Sequence, residues 1–323
     1  MQRRKSGMRR KIMNILILSV LLISMAGCER ETDEENSGKM QGMQHLYASN
    51  AYGYYFEVYS AESEHGREGD QIEIAAPDEE LYFMIENAGK NRKMAIQVFI
   101  DYVQVPIVID GKDYLTYEKE TGAGYSGATA FHFKNAVDKK TNHKLTVTMT
   151  ASSDVHSDDM EDGTLQPYSL SYDYSLILNP DFEMKEASVQ NYEKETVLSQ
   201  DMWNGILFNF DLKKHRRSIP PATVTCKTGQ NLTLQYFAGG YENCSEAVIL
   251  FCIGMQQAEI NHQKFIRVKT GNQNIVRGTV SLKAPEKAGE YEVTGWIIPD
   301  PYAKEQKELM PLDAVPRFTL VVK

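Results

Sequence analysis

Leu145-Thr-Val-Thr-Met-Thr150 alternates apolar and polar residues without a break, and Ser169-Leu-Ser-Tyr-Asp-Tyr-Ser-Leu176 does the same over a longer run that ends on Leu178. A period of two is the signature of a strand with one face on a core. Working outward, Met94, Ile96, Val98, Ile100 and Tyr102 repeat the pattern, as do Tyr54, Phe56 and Val58. Leu81 to Ile85 is a shorter and more fully apolar run. Turn residues separate these pieces at Ala76-Pro77-Asp78, Asn87-Ala-Gly89, Asp110-Gly111 and Asp162-Gly163. Asp110-Gly111 stands between two strand-like runs, as a hairpin turn does. No long stretch carries an i, i+3, i+4 stripe. The reading is all-β, with many short strands arranged as sandwiches.

The chain has 323 residues, of which 42% are hydrophobic and 10% aromatic. That composition supports a packed core and suits two domains at roughly 100–200 residues each. Asn179-Pro180 closes the first unit, spanning 45–180. Residues 181–219 read as a linker or domain-bridging segment; its strand-like piece, Gly205 to Asp211, fits either unit. Pro220-Pro221 opens the second unit, 220–323.

In that second unit, strand-like runs fall at Ala222 to Cys226, Leu232 to Tyr236, Ala247 to Ile253, Phe265 to Lys269, Ile275 to Leu282, Tyr291 to Ile298 and Arg317 to Val322. Ala288-Gly-Glu-Tyr291-Glu-Val293 resembles the G-x-Y-x-C stretch that opens the sixth strand of immunoglobulin-like domains. The resemblance implies an immunoglobulin-like sandwich with Tyr291 as its tyrosine corner. Val293 stands where that family's cysteine would be and Tyr236 opposite it, so the inter-sheet disulfide is absent.

The N-terminus carries an address. Arg3, Arg4, Lys5, Arg9, Arg10 and Lys11 precede the apolar run Ile12 to Ile23, which is too short for a comfortable bilayer span. Met25-Ala26-Gly27-Cys28 follows and resembles the lipobox of bacterial lipoproteins. The resemblance implies cleavage after residue 27, diacylation of Cys28 and a cell-membrane location on the extracytoplasmic side. Residues 28–44 then form a polar, flexible stalk with an r.m.s. reach of ~20 Å. The segment before Cys28 holds six of the 35 basic residues and none of the 44 acidic ones, so the mature chain carries 29 basic residues and a formal charge of −15. Such a balance argues against nucleic acid as a partner and leaves the lipid as the membrane contact.

Motifs for chemistry are few. Gly122-Ala-Gly124-Tyr-Ser-Gly127 matches G-x-G-x-x-G, but the strand-like run Ala128 to Phe133 follows it, where a dinucleotide site needs a helix. Asp154, Asp158, Asp159, Glu161 and Asp162 crowd one loop with His156, at spacings unlike a calcium loop. The seven histidines show no H-x-x-x-H or H-E-x-x-H spacing, and no G-x-S-x-G elbow occurs. No cofactor, metal or catalytic set is expected. Cys226, Cys244 and Cys252 follow Cys28; a Cys226–Cys244 bridge is conceivable, and Cys252 reads as a buried thiol. The candidate binding residues are Tyr55 and Tyr59, on the face of their strand opposite Tyr54, Phe56 and Val58, together with the basic run Lys213, Lys214, Arg216 and Arg217. The expected function is a lipid-anchored extracytoplasmic protein, not an enzyme, that binds or displays an envelope polymer, glycan or surface protein. Two alternatives are an accessory subunit of a membrane transporter or sensor, and an extracellular polymer hydrolase.

Overall fold

The computed structural model describes residues 53–61, 70–88, 90–134, 137–156, 169–188, 194–198, 204–210, 221–303, 312–314 and 317–323. The signal segment, Cys28, the stalk and the basic run at 213–217 lie outside them. Every named element is a strand, and the chain is all-β. Two β-sandwiches, the second immunoglobulin-like, are built from the described residues.

The first sandwich uses β1 (Gly53–Ser60), β2 (Gln71–Glu73), β3 (Leu81–Ala88), β4 (Arg92–Ile100), β5 (Val103–Gln104), β6 (Ile107–Ile109), β7 (Lys112–Tyr114), β8 (Thr116–Thr121), β9 (Tyr125–Phe133), β10 (His143–Ala151) and β11 (Ser169–Ile177). One sheet has the order β1-β3-β9-β6-β7, the other β2-β11-β10-β4-β5 with β8 on β4. The apolar alternates of the sequence meet between them: Phe56, Val58, Phe83, Ile96, Val98, Leu145, Val147 and Tyr174 are all buried. Asp110 and Gly111 close the β6–β7 hairpin with φ of 50° and 74°, a type I′ turn.

The second sandwich uses β12 (Lys194–Leu198), β13 (Gly205–Asn209), β14 (Thr223–Cys226), β15 (Asn231–Gly239), β16 (Glu246–Ile253), β17 (Gln256–Gln257), β18 (Phe265–Lys269), β19 (Asn274–Lys283), β20 (Gly289–Pro299), β21 (Asp313–Ala314) and β22 (Phe318–Val322). Its sheets are β12-β19-β15-β13 and β14-β22-β20-β16-β17, with β18 on β16 and β21 on β20. All seven runs read from the sequence are strands. Tyr291 Oη donates to the Lys287 carbonyl at 2.9 Å, the bond a tyrosine corner makes. Val293 and Tyr236 are both buried in the core.

Two differences from the sequence reading stand out, the second caused by the close docking of the two sandwiches. First, residues 181–219 are not simply a connection. β12 and β13 flank the second sandwich's sheet, where Ile206 and Phe208 enter its core. Second, the polar face of β10 does not meet water. Thr146, Thr148 and Thr150 are each 0% exposed, because that sheet packs its outer face on the second sandwich. β16 is apolar on both faces, as its sequence reads, since one faces its own core and the other this interface. Phe99 and Tyr102 meet Val248, Leu250, Cys252, Trp296 and Ile298 there in a third core. Cys226, Cys244 and Cys252 are buried free thiols, so no Cys226–Cys244 bridge is present.

Polar clamps surround this third core. Arg317 pairs with Glu292 at 3.1 Å, with both side chains under 5% exposed, and donates to the Val155 carbonyl of the first sandwich at 2.8 Å. Thr319 Oγ1 donates to Glu292 at 2.6 Å. The strap after β11 binds both sandwiches: Lys185 pairs with Asp101 at 3.2 Å, Glu186 with Arg267 at 3.3 Å, and the Ala187 amide donates to Tyr302 Oη at 2.9 Å. Burial raises the Tyr302 phenol to about 12, so it stays protonated.

Candidate functional site

An open cleft of about 510 Å³ lies at one end of the first sandwich. The β3–β4 connection supplies Lys90 and Asn91, the start of β4 supplies Arg92 and Lys93, the end of β8 supplies Glu120 and Thr121, and the turn after β10 supplies Ser152 and Asp154. These segments converge because β4 pairs with both β8 and β10, which brings three chain reversals to one edge.

Asn87, fully buried, organises the rim. Its amide nitrogen donates to the carbonyls of Lys90 at 2.9 Å, Gly122 at 3.0 Å and Thr121 at 3.2 Å. Its amide oxygen accepts from Arg92 Nη1 at 2.5 Å. The Arg92 guanidinium also donates to the Ala88 carbonyl at 3.1 Å and sits 5.5 Å over the Tyr54 ring. Arg92 is thereby a structural brace whose charge still faces the cleft. Lys93 pairs with Glu118 at 2.7 Å, and that bond is the main reason its ammonium is held above the usual lysine range. Lys90 and Asp154 are exposed. The cleft thus offers fixed ammonium, guanidinium, carboxylate and hydroxyl groups over a rigid backbone, which suits a ligand with several polar groups.

Of the residues singled out from sequence, Tyr59 is corrected. It is 6% exposed and stacks on Tyr82 with ring centroids 5.4 Å apart, so it offers no open aromatic face. The opposite-face argument holds for direction, but β3 supplies a second tyrosine in register at Tyr82 that closes over it. Tyr55 is half-buried and donates to Glu57 at 2.5 Å. It pairs in register with Glu86, near the end of β3 that leads into the cleft. Lys213, Lys214, Arg216 and Arg217 lie outside the described residues, as do Asp158, Asp159, Glu161 and Asp162. Asp154 lines the cleft, while His156 approaches Glu292 at 3.3 Å. Among the described residues, no three histidine, cysteine or acidic side chains converge as a metal site. Gly122 also lines the cleft, in a short loop that carries the chain from one sheet to the other into β9. The sequence signal for this site was the Asn87-Ala-Gly89 turn; its convergence with β8 and the β10 turn was not readable along the chain.

The sequence matches no protein-family profile, and no curated protein matches it. Among solved structures, it is similar to the periplasmic chaperone SfaE at 10% identity, covering 84% of this chain and 100% of that one, with a TM-score of 0.23. The Salmonella enterica SafA pilin–SafB chaperone complex matches at 10% identity, 83% and 96% coverage and a TM-score of 0.23. A red sea bream transglutaminase matches at 8% identity and a TM-score of 0.19; this chain covers 84% of itself and 31% of that enzyme, about a third of its length.

Proposed function

We propose that this chain is a lipid-anchored extracytoplasmic protein that binds or displays an envelope polymer, glycan or surface protein, without catalysis of its own. The observation that carries the reading is the cleft beside Lys90: open, polar, charged with both signs, and braced by Asn87 and Arg92. Loops held on a rigid sandwich are a common way to present a binding surface. The buried Arg317–Glu292 pair serves docking of the sandwiches, since Arg317 also donates to the Val155 carbonyl. The lipobox resemblance supplies the anchor and the acidic mature chain keeps the folded part off an anionic surface.

The test is capture. Residues 29–323 are made without lipid and incubated with purified cell-wall polymer and, separately, with detergent-solubilised membranes. Retention on wall polymer that falls at least about tenfold in Lys90→Ala/Asp154→Ala, with unchanged unfolding, supports polymer binding at the cleft. Loss in Tyr55→Ala alone places the contact on the β1 face. Stoichiometric capture of a membrane protein makes the chain an accessory subunit, and capture of neither overturns the proposal.

A further inference from the structure

The two sandwiches repeat one another in eight strands each. β2, β3, β4, β5, β8, β9, β10 and β11 correspond to β14, β15, β16, β17, β18, β19, β20 and β22. In each sandwich a short early strand, β2 or β14, pairs in parallel with the final strand, β11 or β22, and that final strand pairs antiparallel with β10 or β20. β10 and β20 in turn pair with β4 and β16, each of which also carries a hairpin partner and a side strand. Even β6 and β7 have a remnant, since Ile260 bridges Gln263 and Leu282 as Ile107 pairs with Tyr114 and Phe133. From Leu81 to Ile107 the counterparts keep a constant separation of 153 residues, so Ile96, Ile100, Gln104 and Ile107 answer to Ile249, Ile253, Gln257 and Ile260.

The contact between the sandwiches obeys the same correspondence. The β4–β5 hairpin turns on Asp101 and Tyr102 with φ of 49° and 67°; the β16–β17 hairpin turns on Gly254 and Met255 with φ of 57° and 63°. Each hairpin reaches into the other sandwich. The Gln104 amide donates to Gln257 Oε1 at 2.8 Å, and the Gln257 amide donates to Gln104 Oε1 at 2.6 Å. Gln257 Nε2 donates to the Tyr102 carbonyl at 2.6 Å, and Gln104 Nε2 approaches the Met255 carbonyl at 3.3 Å. Gln257 Nε2 also donates to the Lys264 carbonyl, and Gln104 Nε2 to the Leu115 carbonyl, both at 2.9 Å. Residue i meets j and j meets i, which defines an isologous contact about a two-fold axis.

The buried ion pairs match as well. Lys144 on β10 pairs with Asp173 on β11 at 2.9 Å; at the corresponding positions Glu292 on β20 pairs with Arg317 before β22 at 3.1 Å. The cross-strand pair is kept with its polarity inverted. A lone charge change at either buried site would strand its partner. The shared feature is therefore the pair and its place, not the residue types.

We infer that the chain is a fused isologous pair: two copies of one immunoglobulin-like unit, each presenting its hairpin and outer sheet face as the docking surface for the other. The partner that this face fits is a second unit of the same architecture. The interface, not the covalent connection, holds the halves together. This inference is independent of the proposed ligand.

A cleavage site inserted after Gln190 in residues 29–323, with an affinity tag at one end, tests it. The folded protein is cut to completion and the tagged half is captured. Both halves are expected to remain together at the mass of the intact protein. Gln104→Ala and Gln257→Ala are each expected to speed dissociation of the cut pair by about tenfold, equally within about threefold, because their bonds are matched. The double variant is expected to do less than the product of the two, because each glutamine is the other's partner. Spontaneous separation of the unsubstituted halves overturns the inference. So does an effect confined to one glutamine, or a double variant at the full product.

Discussion

Replacing Arg317 by Met removes a cation from a site where both partners are buried. Arg317 is 4% and Glu292 5% exposed, so the carboxylate loses its buried guanidinium, while Thr319 at 2.6 Å and the half-exposed His156 at 3.3 Å stay beside it. Leaving a buried charge without its partner costs about 3–5 kcal/mol. The bond from Arg317 to the Val155 carbonyl is lost as well, which puts the expectation in the upper part of that range. Taking ~4 kcal/mol and ~2–3 °C per kcal/mol for a unit of this size, Tm should fall by about 8–12 °C. Urea unfolding of residues 29–323, followed by far-UV circular dichroism, measures the loss. The companion Glu292→Met/Arg317→Met should recover at least about 2 kcal/mol relative to the sum of the single changes, since it leaves no unpaired charge. A single-variant loss below ~1 kcal/mol, or a strictly additive double, would refute the claim that this pair is desolvated and coupled.

Three further outcomes follow from the same geometry. Burial pulls the His143 pKa down, but the 2.8 Å bond and the charge of Asp101 outweigh it, leaving it above the usual histidine value. Its contribution to stability is full below pH ~6.5 and lost as pH rises through the raised pKa, so a urea midpoint series across that range should slope downward and flatten in Asp101→Asn. Burial raises the Cys252 thiol to about 12, and its side chain is 0% exposed; a thiol-reactive disulfide at pH 8 should fail to label it in the native protein and titrate it after unfolding, with mass mapping of the modified peptide as the check. A Cβ on Gly278 would meet the Tyr236 ring at 2.4 Å inside a paired strand, so Gly278→Ala should cost about 1–3 kcal/mol and Tyr236→Leu should restore part of it, both read from thermal unfolding.

The period-two runs, the turn residues and Tyr291 sufficed for the class and for most strands, because alternation and turn chemistry are local properties. Cys252 was readable as a buried thiol from its apolar neighbours. Tyr59 was not readable as buried, because Tyr82 reaches it only through the β1–β3 register. The cleft was only partly legible: Asn87 and Gly89 announce a turn, but the groups facing it come from strands joined across the sheet.

What the sequence by itself determined is therefore the all-β class, most of the strands of both units and the tyrosine corner. Tertiary structure alone decided that the polar threonines of β10 are buried, that β12 and β13 belong to the second sandwich, and that Gln104 and Gln257 clasp one another. The physical reason is that one period marks a face as polar or apolar, whereas whether that face meets water depends on what packs against it. A threonine row closed by a second sheet carries the same pattern as one open to solvent. The repeat was hidden for a related reason: a buried pair such as Lys144–Asp173 keeps its place when both charges invert to Glu292–Arg317, and the likeness survives in pairing geometry after it has left the letters.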